Sequence, residues 1–284
     1  MFNKIFNIKT FNNINYIKKQ NIFNKFKRYI ENSKSSYLPL TLAFQTASGI
    51  TDAPTLDALN NFENGLSLAG LKNKIYAYYP FIGGDAITHK FNFMDVRDLD
   101  AAYRLTFNGG WTHSTTGALP NAVNAYANTY YTPSVSDLNS FSVGYYSRTN
   151  SNAIEVDIGS IDGTSAVLLS MRGPAGTFSS INSLGFSPYI DTDSLGMYIV
   201  SRTSSILTKS YKNGVDRNSD PTGSISTPTQ SIYLGAWNNI GTAAYFSSKE
   251  CASAFISSGL TPTESITLSG LINTLQTALG RNVY

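Results

Sequence analysis

Apolar positions along the chain change their period twice. Leu56, Leu59, Phe62, Leu66 and Ala69 follow at intervals of three and four, the single stripe of an amphipathic helix. Thr51 or Asp52 can cap it, Pro54 suits its first turn, and Gly70 or Asn73 can end it. The period then shortens. Residues 75–81 read as a buried strand that runs into a sharp turn at Gly83-Gly84. Further alternating or short apolar runs at 86–93, 103–107, 123–131, 138–148, 153–159, 164–171, 196–203, 205–212, 230–236 and 243–248 predict strands. Asn213-Gly214 is the strongest turn signal, because a type I′ hairpin needs two successive positive φ angles. It predicts that 205–212 pairs antiparallel with 215–219. The helical period returns at Leu268, Leu271, Ile272, Leu275 and Leu279, ended by Gly280. This stretch follows Thr261-Pro262-Thr263-Glu264, a capping box with proline at the first helical position.

About ten strands without intervening helices predict a mainly all-β fold, an antiparallel two-sheet sandwich flanked by short helices. The composition agrees. Aromatics make up 13% of the 284 residues and charged residues 14%, against about 25% charged in an average domain. A chain this long buries roughly 70–75% of its unfolded surface, enough for a sizeable core. Its one cysteine, Cys251, excludes an internal disulfide framework and a cysteine zinc cage. No GxGxxG, P-loop or HExxH spacing occurs, so neither a cofactor nor a metal is expected.

Charge divides the chain where hydropathy does not. Residues 1–34 carry eight Lys or Arg against the single acid Glu31, a net +7, while the rest of the chain sums to −4. Ile22, Phe23, Phe26, Tyr29 and Ile30 recur there at helical spacing, interleaved with Lys25, Lys27 and Arg28. The reading is a basic amphipathic anchoring arm over 1–36, with Lys18, Lys19, Phe23, Lys25, Phe26, Lys27 and Arg28 as its gripping residues. Residues 37–73 form a linker and helix packed on the body, and 74–284 the sandwich with its C-terminal helix. Five Phe in the arm favour a protein partner over nucleic acid. Asn or Lys interrupts every apolar stretch, so neither a secretory signal nor a membrane span is read.

Several stretches resemble known proteins. Ser210-Tyr211-Lys212-Asn213-Gly214, Ile232-Tyr233-Leu234-Gly235-Ala236, and Tyr245-Phe246 leading to Leu260-Thr261-Pro262-Thr263-Glu264 resemble the end of a concanavalin A-like (laminin-G-like) jelly roll. Tyr79-Pro80-Phe81-Ile82-Gly83-Gly84, Arg97-Asp98-Leu99-Asp100-Ala101-Ala102 and Phe107-Asn108-Gly109-Gly110-Trp111-Thr112-His113-Ser114 are similar to a set of bacteriophage virion proteins that carry this jelly roll as a head or tail appendage. The resemblance spans roughly 52–284 and omits the arm. It implies a virion location, a structural head-fibre or decoration role, attachment to other virion proteins through the arm, and a homo-oligomer. A host surface glycan is the second expected partner.

Candidate chemistry is sparse. Glu155-Val156-Asp157-Ile158 is like the E-x-D-x-(x)-E strand of family 16 glycoside hydrolases on this fold, where alternate acids face the sugar. Gly159 and Ser160 stand where the second glutamate would be, so the chain is read as a non-enzyme without catalytic residues. The expected arrangement is a half-buried strand with Ile154, Val156 and Ile158 inward and the acids in solvent. His89 and His113 are expected in turn and strand hydrogen bonds, and Asp191-Thr192-Asp193-Ser194 as a polar loop rather than a calcium site. Arg97, Asp98, Asp100 and Arg104 read as a local charge network. Trp111 and Trp237 are the candidate ligand-facing residues, as a sugar-stacking platform.

Overall fold

The computed structural model describes residues 37–284, together with Gln20 and Lys25. Of the arm residues, Lys18, Lys19, Phe23, Phe26, Lys27 and Arg28 lie outside the described residues, and Lys25 is helical and exposed. Residues 38–284 form one unit. Its helices are α1 (Pro39–Ser48), α2 (Ala53–Leu68), the single turn α3 (Ala86–His89) and α4 (Pro262–Ala278). Its strands begin with β1 (Ile75–Tyr79), β2 (Thr106–Asn108), β3 (Trp111–Ser114), β4 (Gly117–Pro120), β5 (Tyr126–Asn128) and β6 (Phe141–Ser147). There follow β7 (Ile158–Ile161), β8 (Ala166–Gly173), β9 (Gly176–Ser183), β10 (Gly196–Ser204), β11 (Leu207–Lys212) and β12 (Val215–Asp220). The last four are β13 (Tyr233–Leu234), β14 (Trp237–Asn239), β15 (Thr242–Ala244) and β16 (Cys251–Ser257).

Two sheets make a β-sandwich. The first runs β12-β11-β10-β6-β16-β4-β3, with β1 also on β16. The second runs β15-β14-β7-β13-β5-β2, extended from β7 through β8 to β9. Asn213 and Gly214 take φ of 53° and 78° and join β11 to β12 with Lys212 opposite Val215, as a two-residue hairpin requires. One ladder departs from the antiparallel expectation: β14 lies parallel to β7.

The first sheet is covered on both faces, which explains its continuous apolar runs. Val143 and Tyr145 of β6, Tyr198 and Val200 of β10, and Ala254 and Ile256 of β16 join the core between the sheets. Their neighbours Tyr146, Met197, Ile199 and Phe255 point the other way, into a second core with Phe62, Leu66, Leu268 and Ile272 of α2 and α4. Each fully buried side chain of that size contributes about 2 kcal/mol, so the helices are part of the domain's stability rather than appendages. Asp52 caps α2 through Thr55 N at 3.0 Å, and the Thr261–Glu264 capping box opens α4. Helix α1 has no side-chain cap at its own N-cap residue. Glu63 of α2, fully buried, accepts from Leu40 N at 3.1 Å and Thr41 N at 2.8 Å. Burial opposes its charge, but Lys72 and these donors together hold its carboxyl below the usual value.

Several local expectations are corrected. Residues 86–93 contain the turn α3 instead of a strand, because Asp85 caps it by accepting from Thr88 N at 2.8 Å. Strand β7 begins only at Ile158, and 230–236 is extended only at Tyr233–Leu234. Helix α1 and strands β3, β4, β9, β14 and β16 were not anticipated. Their sequences are short, rich in Ser, Ala and Gly, or lack a clear period, and tertiary pairing decides them.

Candidate functional site

A groove lies on the outer face of the second sheet. In β8, Val167, Leu169 and Met171 turn into the core between the sheets, so the period of two sends Leu168 and Ser170 outward. Phe178 of β9 stands beside Ser170. On the other flank, Trp237 of β14 sits opposite Gly159 of β7. A Cβ at Gly159 would fall 2.4 Å from Val167 O and 3.2 Å from Trp237 Cδ1. Only glycine leaves this gap between Trp237 and β8. The resulting cavity of about 220 Å³ is walled by Ile154, Val156, Phe186 and Tyr245 in addition to those residues. The Trp237 ring lies 6.4 Å from Phe186 at 85° and 5.9 Å from Tyr245 at 56°. Ile154, Phe186 and Tyr245 are 76%, 37% and 49% exposed. The buried indole N–H of Trp237 has no hydrogen-bond partner among the described residues.

Glu155 lines the groove and belongs to a buried ion cluster. Its side chain and those of Asp157 and Lys249 are 2%, 0% and 0% exposed. Lys249 Nζ touches Glu155 Oε1 and stands 3.5 Å from Asp157 Oδ1. Ser248 donates to Glu155 from its N–H at 2.5 Å and its hydroxyl at 3.2 Å. Ser247 Oγ donates to Asp157 Oδ1 at 2.6 Å, and Met171 N to Oδ2 at 2.8 Å. Burial pushes the Asp157 carboxyl up to about 6, against the opposing pull of Lys249.

Val156 and Ile158 are buried as expected, but the rest of 154–158 departs from the expected arrangement. The acids are inside, and Ile154 is the exposed residue. The reason is Lys249, which supplies a buried cation that makes burial of two carboxylates tolerable. Asp157 is sealed from solvent and both acids face one ammonium group, so the pair is not arranged on either side of a glycosidic bond.

The structure separates the two candidate tryptophans. Trp237 lines the groove. Trp111 packs against the core between the sheets, with its ring 5.4 Å from Phe107 and stacked on His113 at 6.4 Å. A Cβ at Gly235 would come within 2.7 Å of Trp111 Cη2, so Trp111 is fitted tightly to the backbone. Phe178, Phe186, Tyr245 and Lys249 were not singled out as site residues from sequence. For Phe186 one signal was available: an aromatic residue between Gly185 and Ser187, in a stretch without strand period.

The remaining candidates are engaged elsewhere. His89 Nε2 accepts from Gly84 N at 3.1 Å, and the two histidines meet Nδ1 to Nδ1 at 2.9 Å. Asp191 pairs with Arg217 at 3.0 Å and Asp193 with Lys212 at 2.8 Å. No group of three or more potential metal ligands occurs among the described residues. Arg104 bridges Asp98 and Asp100, while Arg97 turns to Asp95. A wider cavity of about 480 Å³ borders Asp52, Thr55, Gly83, Thr115 and Arg281. Its buried cation is committed to protein acceptors: Arg281 donates to Gln276 Oε1 and to the carbonyls of Pro80, Phe81 and Ala252 at 2.5–2.9 Å. The aromatic groove is therefore the better candidate. No helix among the described residues is long and apolar enough to cross a membrane.

No family model matches the chain, and neither does any curated relative. Among solved structures, the chain is similar to domain 4 of AbnA, a GH43 extracellular arabinanase from Geobacillus stearothermophilus, in complex with arabinotriose. That match has 16% identity and a TM-score of 0.43, over 69% of this chain and 98% of the other. The Ruminococcus gnavus IT-sialidase CBM40 bound to α2,6-sialyllactose matches at 14% identity and a TM-score of 0.37, over 46% and 82% of the two chains. A Trypanosoma rangeli sialidase matches at 10% identity and a TM-score of 0.41; 75% of this chain spans 39% of that protein.

Proposed function

We propose that the body of this protein is a non-catalytic carbohydrate-binding module whose site is the Trp237 groove. The observation that carries this is a set of partly exposed aromatic rings, Trp237, Phe186 and Tyr245, around a groove, with Gly159 leaving room between Trp237 and β8. Sugar rings present C–H faces that stack on such rings, and their hydroxyls take the few polar groups at the edge. Here that is the hydroxyl of the half-exposed Tyr245. The only charged lining residue, Glu155, is held by Lys249. A neutral saccharide therefore suits the groove better than a sialylated one, whose carboxylate would find no cation on the wall.

Trp237→Ala is the test. Removing a central aromatic anchor costs roughly 2 kcal/mol, or about thirtyfold in affinity. Calorimetry on a glycan-array hit should show that loss with an unchanged circular dichroism spectrum. Absence of binding by the wild-type protein across neutral bacterial and plant polysaccharides would refute the reading.

A second reading concerns where the module is displayed. The bacteriophage resemblance and the net +7 over residues 1–34 support a virion appendage, a head or tail fibre or decoration protein of homo-oligomeric form held by its arm. Deletion of 1–36 should then abolish incorporation into particles while the body still folds. Full incorporation of the truncated chain would remove this reading and leave the groove untouched.

A further inference from the structure

We propose that Lys249 and Asp157 are the partners of an intramolecular amide cross-link, formed between the two side chains with Glu155 as the proton carrier. The set is a built site, not a surface ion pair. Lys249 Nζ lies 3.5 Å from Asp157 Oδ1 and in contact with Glu155, and all three side chains are almost or wholly removed from water. Amide formation from an amine and a carboxylic acid expels water, so a dry interior that excludes the reverse hydrolysis favours it. Proximity supplies the rest, because two groups held together react far faster than the same groups free in solution.

Each neighbour has a role in the step. The Lys249 ammonium passes one proton to Glu155, which faces it as acceptor. The freed amine attacks Cγ of Asp157 in its neutral acid form. Asp157 is the acyl partner rather than Glu155 for two reasons. Burial raises its pKa, so the electrophilic neutral form is accessible, and Met171 N donates to Oδ2 at 2.8 Å, positioned to hold the charge that develops there. The Nζ–Cγ bond forms and the Cγ–Oδ1 bond breaks. Oδ1 leaves as water with the acid's own proton and one of the two remaining amine protons, relayed through Glu155. Glu155 ends neutral, the amide nitrogen keeps one proton, and no oxidant or reductant is needed. Ser247 Oγ, 2.6 Å from Oδ1, is placed to accompany the departing water.

The bond would join the segment entering β7 of one sheet to the segment entering β16 of the other, a covalent tie across the sandwich. The proposal is independent of what the groove binds. Intact mass spectrometry of the purified full chain tests it. The expected mass falls short of the sequence mass by one water, and fragmentation of a protease digest should show a branched peptide joining Lys249 to Asp157. A wild-type mass equal to the sequence mass overturns the proposal, and a branch at Glu155 overturns the assignment of partners. Glu155→Gln, once shown to be folded by circular dichroism, should retain the full sequence mass. Loss of water in that variant would overturn the role of Glu155.

Discussion

Lys249→Met is expected to cost roughly 3–5 kcal/mol of folding stability, the usual penalty for stripping a buried charge cluster of one sign. Methionine preserves length and apolar bulk, so no cavity opens; what is lost is the cation, together with the amide wherever that bond has formed. Two carboxylates, Glu155 and Asp157, would remain buried without a cation. Against a total of about 5–15 kcal/mol for an ordinary domain, the shift should be plain in a urea or guanidinium midpoint. Its pH dependence identifies the cause. In the chain without the cross-link, burial already pushes the Asp157 carboxyl up to about 6 from 3.8, and removing Lys249 takes away the main influence holding it down. A carboxyl raised on folding gives stability that is complete below its unfolded pKa and is lost as pH rises through the folded one. The variant should therefore recover part of its deficit as pH falls from about 6 to 4. An equal deficit at both ends of that range would rule out the charge account.

Acid should act on the wild-type protein in the opposite sense at the His89–His113 pair. His89 Nε2 accepts from Gly84 N, so its proton is assigned to Nδ1, which donates to His113 Nδ1 at 2.9 Å. This arrangement exists only while both rings are neutral. Burial, then His113 and Arg281, push His89 down to about 3 from 6.5, with only Asp85 opposing. Burial also lowers His113, again against Asp85. A histidine lowered on folding contributes stability that is present above the unfolded pKa and lost as pH falls toward the folded one. The window is therefore pH 6.5 down to about 3, and the loss is at most about 5 kcal/mol. His89→Gln keeps a donor and an acceptor but does not titrate, so its stability should vary less over that window. Identical slopes for the two proteins, measured by denaturant titration, would exclude the histidine pair as the origin.

Elements governed by contacts within a few residues were legible in the chain itself. The Asp52 cap reaches Thr55, the Thr261–Glu264 box closes on itself, and Asn213-Gly214 needs only its own two φ angles. The sandwich was also readable, because strands covered on both faces leave apolar runs without helical period. The same chemistry misled at 86–93, where Asp85 has only to cap one turn to displace a strand.

The site was a different matter. Glu155 and Asp157 stood out as residues, yet their orientation depends on Lys249, 94 positions from Glu155 along the chain. No local pattern marks a lysine that will be buried, since charge burial is settled by which counter-charge the fold brings beside it. The groove is likewise assembled from three strands and three connecting segments. Local propensity is enough to choose helix, strand and turn, because those choices involve near neighbours. Packing two sheets face to face decided which aromatics were fitted against the core, like Trp111, and which came to line a surface groove, like Trp237.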